Sequence, residues 1–302
     1  MKLSGDLARE QRAFLRRGRA GWDGHLERIR GFLGDGLRQA DPDRPVLILG
    51  AGSGLEVPWA LAPPGTAGWD GDPWSRVRTA FRHHLWPPWC FEDLTGGLED
   101  LAAASWRGAR QTWSGQLRKP GTAAARVTGL IRSLRPQPAP LRRWLDQHRP
   151  ATILAANVMG QFGVVAQRLV ERAFGRRLPW EADPDLHDPL EEAVEAWTRR
   201  ALEAFLAALA DSGADLWLCH DRGVVFSRGP LTLGPLAEPW TAQLRSDRCL
   251  EVSDPLCGLQ VPGAFPGRIL ERHQRWLWEL GPGQRHVMEA LRVRSSGPCR
   301  WD

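Results

Sequence analysis

The clearest hydrophobic pattern in the chain is a run of four aliphatic residues, Val46-Leu47-Ile48-Leu49, which ends at Gly50. An unbroken aliphatic run of this length is typical of a strand that is buried on both faces, as in the middle of a parallel sheet. Residues 151–157 form a second run of the same character and end in a polar residue. Both runs predict central strands of an α/β sheet.

The remaining elements alternate between strand and helix. Strands are predicted at 66–70, 89–91 and 214–219, an antiparallel hairpin at 271–280 and 285–294, and helices at 55–61 and 74–84. The strongest helical pattern should begin at Asp188 and Pro189 and end near Gly213, because these residues suit a helix start and stop. This order predicts an α/β fold with a seven-stranded, mostly parallel sheet that closes with an antiparallel hairpin.

Two segments flank or interrupt this core. Apolar residues recur at helical spacing over 4–40, which predicts a helical N-terminal extension at 1–40 before a single domain at 41–302. Residues 228–268 are rich in proline and glycine and are expected to be loop, with a lid as one possible role.

Directly after the first strand, Gly50-Ala51-Gly52-Ser53-Gly54 predicts a tight turn at which a ligand can approach the backbone. A dinucleotide fingerprint would need its third glycine at position 55, where this chain has leucine. The spacing is therefore Gly-x-Gly-x-Gly. Chain geometry alone is the competing explanation for the three glycines.

Polar residues follow several of the predicted strands. Asp70 ends the second strand, where Rossmann-like folds place a carboxylate that accepts hydrogen bonds from both ribose hydroxyls, and Asp72 suits the cap of the next helix. Asn157 and Gln161 are neutral amides, which can orient a substrate but are poor bases; Asn157 could instead cap the following helix. His220 is predicted at a strand's carboxyl end, which makes it the best general-base candidate, although a structural role is the commoner one.

Composition and charge restrict the class of protein. The 302 residues are 42% hydrophobic with a net charge of +5, and no apolar run approaches the ~18 residues of a membrane span. Five cysteines without Cys-x-x-Cys spacing indicate reduced thiols, so we expect a cytoplasmic protein, and no metal site is predicted.

Charge is also distributed unevenly. A basic insertion at about 105–149 carries ten basic residues and one acid, whereas residues 179–215 carry ten acids and two arginines. The two segments could neutralise each other within one molecule or across a dimer. Nucleic acid is therefore disfavoured as a partner, and the oligomeric state stays open.

The glycine turn, together with Asp70-Gly71-Asp72-Pro73 and Asp93-Leu94-Thr95-Gly96, resembles class I S-adenosylmethionine (SAM) dependent methyltransferases. The resemblance implies a Rossmann-like fold with Gly50, Ala51, Gly52 and Gly54 under the amino-acid end of SAM. It also implies that Asp93, or Glu92 beside it, receives the adenine amino group, unless these acids form only a solvated loop. Ile48 departs from the family, which commonly has an acid there; Glu56 is the nearest acid.

More narrowly, Phe14-Leu15-Arg16-Arg17, Trp22 and His25 resemble a group of bacterial methyltransferase-like proteins. Neither Asn-Pro-Pro-Tyr nor Asp-Pro-Pro-Tyr occurs, so the sequence has no signature for amino-methylation of nucleic-acid bases or glutamine. The expected function is SAM-dependent methyl transfer to a small-molecule or protein acceptor. The alternatives are an inactive SAM-fold binding or regulatory protein, an RNA methyltransferase and, more weakly, a nicotinamide-dependent oxidoreductase, which Leu55 opposes.

Overall fold

The computed structural model describes residues 22–113, 120–174, 184–228, 231, 249–281 and 283–295. Its helices are α1 (Asp23–Gln39), α2 (Pro73–His83), α3 (Leu98–Trp113), α4 (Pro120–Ser133), α5 (Ala139–His148), α6 (Gln161–Phe174) and α7 (Pro184–Asp211). Its strands are β1 (Val46–Leu49), β2 (Ala67–Trp69), β3 (Trp89–Cys90), β4 (Thr152–Ala156), β5 (Asp215–Ser227), β6 (Cys249–Ser253), β7 (Ile269–Gly281) and β8 (Gln284–Arg294). Short 3-10 helices lie at Trp59–Leu61 and Val261–Ala264.

These strands form one sheet in the order β3-β2-β1-β4-β5-β8-β7. The five strands β1 to β5 run parallel, and β8 lies antiparallel between β5 and β7. The predicted α/β architecture and the closing hairpin are confirmed. The predicted count of seven strands is wrong, because β6 adds an antiparallel strand along the outer half of β5.

The prediction of loop over 228–268 fails at β6 and at the 3-10 helix Val261–Ala264. Residues 229–230 and 232–248 of that segment lie outside the described ranges, and so do 1–21 of the predicted extension, including Phe14-Leu15-Arg16-Arg17. No helix of the described part combines the length and apolar character needed to cross a bilayer.

The central strands are buried on both faces, as their aliphatic runs predict. Leu47 and Leu49 point into a core shared with α3 to α7. Val46 and Ile48, on the alternate face, pack in a second core with α1. This division follows from the two-residue repeat of a strand.

Helix α1 forms the layer that covers the second face. Its Ile29, Phe32 and Leu33 are buried, and it contacts β4, β5 and β7. The described part of the predicted extension is therefore helical and packs on the sheet.

The predicted helix at 55–61 is wrong, since only the 3-10 turn Trp59–Leu61 forms there. Pro58 precedes that turn, and a proline cannot supply the N–H group that an α-helix needs at this point. Consequently no α-helix follows the glycine turn directly.

The described part of the basic insertion consists of α4, α5 and the second half of α3, between β3 and β4. Two of its arginines pair with the acidic segment in the same molecule, Arg132 with Glu192 (3.2 Å) and Arg142 with Asp211 (2.6 Å). Both pairs are well exposed, so each contributes only about 0–1 kcal/mol, but they do neutralise charge within one chain.

The long helix α7 begins at Pro184, earlier than predicted, and Pro189 lies inside it. It ends at Asp211, two residues before Gly213, whose φ of 68° is left-handed. The predicted stop is therefore confirmed and the predicted start is wrong.

Candidate functional site

A cleft of about 1380 Å³ opens at the carboxyl ends of β1, β2, β3 and β4. Parallel α/β sheets bind ligands at this edge. The glycine turn forms one wall, and the loop after β3, helix α3 and the start of α6 form the others.

The glycine turn has a structural reason for each glycine. Gly50, Gly52 and Gly54 have φ angles of 65°, 54° and 69°, a region that other residues adopt only with strain. A Cβ atom at Gly50 would lie 2.6 Å from the Cβ of Val158, and one at Gly54 would lie 2.9 Å from Thr79 Oγ1. Chain geometry therefore accounts for Gly50 and Gly54 before any ligand is considered.

The N–H groups of this turn are largely used within the protein. Gly50 and Ala51 donate to the carbonyl oxygen of Trp69 (2.9 and 3.2 Å), and Gly54 donates to that of Ala51 (3.1 Å). Gly52 donates to Asp70 Oδ2 (2.9 Å). Four of the five N–H groups thus have an acceptor, whereas a phosphate-binding turn presents such groups to its ligand.

Asp70 lines the cleft at the end of β2 and is held by three donors. Besides Gly52 at Oδ2, the N–H of Asp72 (2.8 Å) and the hydroxyl of Ser75 (3.2 Å) donate to Oδ1. Burial raises the pKa of Asp70 to about 6, and the backbone donors at Asp72 and Gly52 oppose this rise. The carboxylate is thus fixed in place but costly to ionise.

Asp72 has the predicted capping role. Its Oδ1 accepts from the N–H of Trp74 (3.0 Å), and Pro73 is the first residue of α2. Its Oδ2 pairs with Arg78 at 2.8 Å.

Asp93 also caps a helix. Its carboxylate accepts from the N–H groups of Thr95 (2.8 Å), Gly97 (2.9 Å) and Leu98 (2.8 Å), and from the Thr95 hydroxyl. Asp93 lines the cleft. These donors nevertheless occupy the acceptor sites of its carboxylate, which leaves little capacity to accept a hydrogen bond from a ligand. The neighbouring Glu92 is exposed and lines the same wall, so it is the better placed acid for a ligand.

Asn157 and Gln161 both line the cleft beside the glycine turn. Asn157 has a left-handed φ of 51°, and its Oδ1 accepts from the N–H of Asp221 on β5 (3.1 Å). Asn157 therefore does not cap α6, which begins four residues later at Gln161. Asparagine adopts this region more readily than other side chains, and the bond to the Asp221 N–H holds Asn157 in place at the cleft wall.

His220 does not lie where the sequence placed it. Strand β5 continues to Ser227, so His220 is in its middle and is absent from the residues that line the cleft. Its Nδ1–H donates to the carbonyl oxygen of Glu289 (3.1 Å), and burial lowers its pKa to about 4. The prediction that His220 lies at the carboxyl end of its strand is therefore wrong, and that position was the reason for naming it as a general base.

One carboxylate that the sequence prediction left unassigned is fixed in the cleft. Glu56 Oε1 lies 3.2 Å from Nε2 of the buried His25. Nδ1 of His25 accepts from the indole N–H of Trp276 (3.3 Å), so Nε2 carries the proton that is donated to Glu56. The only sequence signal was that Glu56 is the acid nearest the glycine turn.

The cleft is strongly acidic. Among the described residues that line it, seven are carboxylates and one is a guanidinium, Arg110. The carboxylates are Glu56, Asp70, Asp72, Glu92, Asp93, Glu99 and Asp100. A site with this charge attracts cations and repels phosphates.

No protein-family model matches the chain, and no curated protein matches it either. What the cleft binds therefore has to be inferred from its shape, charge and hydrogen-bonding groups.

Proposed function

We propose that the protein is a SAM-dependent methyltransferase that acts on a small-molecule or protein acceptor. The acidic lining of the cleft carries the proposal. SAM carries a sulfonium and an ammonium group against a single carboxylate, so its net positive charge suits a cleft whose described lining has seven carboxylates and one guanidinium.

The same features argue against a nicotinamide dinucleotide. Its pyrophosphate would need free N–H groups, a helix N-terminus or basic side chains at the glycine turn. Four of the turn's N–H groups have internal acceptors, and the next regular element is the 3-10 helix Trp59–Leu61. Arg82 and His83 do contact the turn, but each bonds to one of its carbonyl oxygens, those of Ser53 and Gly54, and neither belongs to the described lining of the cleft. Arg110, the one guanidinium in that lining, lies on α3.

The sheet supports the same proposal. In class I methyltransferases, as the sequence resemblance implies, the fourth strand neighbours the first and an antiparallel hairpin closes the sheet. Here β4 lies beside β1, and β7 and β8 form that hairpin.

Three acids would hold the ligand. Asp70 would accept from the ribose hydroxyls, Glu92 from the adenine amino group, and Glu56, fixed by His25, would face the ammonium group. Glu56 would thereby take the role of the acid that the family commonly has at the position of Ile48. Ile48 itself is fully buried and packs against α1.

Catalysis would consist mainly of alignment. When bound, SAM supplies a reactive methyl group: the acceptor's lone pair bonds to the methyl carbon, the carbon–sulfur bond breaks towards sulfur, and the acceptor's proton passes to water. Asn157, rigid through its bond to the Asp221 N–H, and Gln161 would orient the acceptor at the floor of the cleft.

Thermal unfolding with SAM, S-adenosylhomocysteine, NAD and NADP tests the proposal. A ligand at a hundredfold excess over its Kd stabilises the native state by about 2.7 kcal/mol, which is a shift of about 5 °C for a chain of this size. We expect that shift with SAM and S-adenosylhomocysteine only. A shift with NAD or NADP alone would favour the oxidoreductase alternative, and no shift at all would remove the cofactor assignment.

The alternative of an inactive SAM-binding or regulatory protein is favoured by one observation, the apolar Ile48 in place of the usual acid. Tight binding of SAM without formation of S-adenosylhomocysteine across a broad set of acceptors would select that alternative.

A further inference from the structure

The cleft extends beyond the part that the glycine turn borders. Its volume of about 1380 Å³ exceeds the roughly 300–1,000 Å³ of ordinary ligand pockets. Residues of α3 and α6 supply part of the lining, and the volume leaves room for a second molecule beside a cofactor.

The walls of this space, which we call the α3–α6 slot, are apolar. On α3, Leu98, Ala102 and Trp106 follow one another at intervals of four residues and therefore share one face. On α6 the lining residues include Val165 and Leu169, again four residues apart. Leu98 and Trp106 are eight residues apart, which is about 12 Å along the helix axis.

Polar groups lie at both ends of the slot. Asn157 and Gln161 stand where it meets the glycine turn. Arg110 follows Trp106 by one helical turn, is exposed, and is the only cation in the lining described above. Its Nε–H donates to the Trp106 carbonyl oxygen over 3.4 Å, so the other guanidinium nitrogens retain donors.

We infer that the methyl acceptor is a small amphiphilic acid, an inference that rests on the proposed function. Its apolar body fills the α3–α6 slot, its carboxylate pairs with Arg110, and its nucleophilic atom lies at Asn157 and Gln161. A nucleic acid does not suit this slot, because the walls are apolar and the rest of the lining is acidic.

Calorimetric titration of hexanoate, octanoate and decanoate into the full chain saturated with S-adenosylhomocysteine tests the slot. Each added methylene should tighten binding about fourfold, the factor that about 0.8 kcal/mol per buried CH₂ gives. Decanamide, which lacks the charge that would pair with Arg110, should bind up to about fivefold more weakly than decanoate. An exposed ion pair seldom contributes more than this factor to affinity. Arg110→Gln should remove that preference and leave the chain-length dependence intact.

Ala102→Trp is the blocking variant, because Ala102 is partly exposed on the slot wall and an indole there would occupy the space. It should abolish alkanoate binding and keep the Kd for S-adenosylhomocysteine within twofold. Ala125→Trp, at an exposed site of α4 outside the lining, is the matched control. Val165→Phe is a smaller change and should lower the longest chain length accepted, so the test survives if Ala102→Trp does not fold.

The outcomes separate the two proposals. Binding of S-adenosylhomocysteine without any chain-length dependence for the alkanoates would overturn the acceptor class and leave the methyltransferase proposal standing. Alkanoate binding that persists in a folded Ala102→Trp variant would also overturn it, since the probe would then lie elsewhere. Failure of wild-type protein to bind S-adenosylhomocysteine would remove the proposed function itself.

Discussion

Asp70 gives the sharpest test of the site, because one carboxylate should control the pH dependence of binding. Burial raises its pKa to about 6. If the ribose hydroxyls bind only the ionised carboxylate of Asp70, protonation of that carboxylate weakens binding. The apparent Kd is then multiplied by the factor 1 + 10^(pKa − pH). That factor is about 1.1 at pH 7 and about 11 at pH 5.

Calorimetry should therefore show S-adenosylhomocysteine binding about tenfold more weakly at pH 5 than at pH 7. Asp70→Asn should bind more weakly at pH 7, by about 1.5–3 kcal/mol for a lost charge-assisted hydrogen bond, and should lose this pH dependence. Asp211→Asn, a surface acid outside the cleft lining, is the matched control and should keep the wild-type profile.

The raised pKa of Asp70 also predicts how the free energy of unfolding depends on pH. Because the folded-state pKa lies above the ordinary 3.8, the native protein holds more protons than the unfolded chain between pH 3.8 and about 6. Asp70 therefore makes its contribution to stability below that window and loses it as pH rises to about 6, by on the order of 3 kcal/mol. The difference in unfolding free energy between wild type and Asp70→Asn should fall by that order across the window. A flat difference, together with pH-dependent binding that survives in Asp70→Asn, would refute the reasoning.

Further predictions concern the cleft, the turn, the sheet and the acceptor. Glu56→Gln should weaken S-adenosylhomocysteine at least fivefold in calorimetry but leave methylthioadenosine, which lacks the ammonium group, unchanged; equal losses would refute its role. Gly50→Ala should cost on the order of 2–5 kcal/mol in urea unfolding, from its left-handed φ and the close Val158, whereas Gly31→Ala, with open space around it, should not destabilise. Burial alone would raise the pKa of Glu289, but the hydrogen bond from His273 and nearby positive charges lower it to about 2. The contribution of Glu289 to the stability of the fold should therefore disappear as pH falls from 4.5 towards 2, and Glu289→Gln should abolish that pH dependence in urea unfolding. Bulk tRNA should not bind in filter assays at ~150 mM salt, and micromolar affinity there would favour the RNA alternative.

The sequence predicts the central strands and the hairpin well, because these signals are local. The aliphatic runs at β1 and β4 need burial on both faces, and Gly281-Pro282-Gly283 separates two alternating strands. The caps are equally local: Asp72 and Pro73 begin α2 as expected.

The failures arise where long-range pairing overrides local character. His220-Asp221-Arg222 has the composition of a strand end, yet β5 continues through it. Each residue bonds to a partner distant in sequence: His220 donates to the Glu289 carbonyl oxygen, Asp221 pairs with His286 (3.0 Å) and Arg222 pairs with Asp254 (3.0 Å). Buried charges are tolerated only when they are paired, and single-sequence patterns do not reveal such partners.

The contact between His25 and Trp276, 251 residues apart, has a consequence for how the protein folds. The carboxylate of Glu56 depends on His25, and His25 depends on a residue in β7. During synthesis the glycine turn emerges early, but this part of the cleft can be completed only after β7 has left the ribosome and joined the sheet. Such non-local contacts slow folding, so ligand binding should appear as one of the last events of refolding.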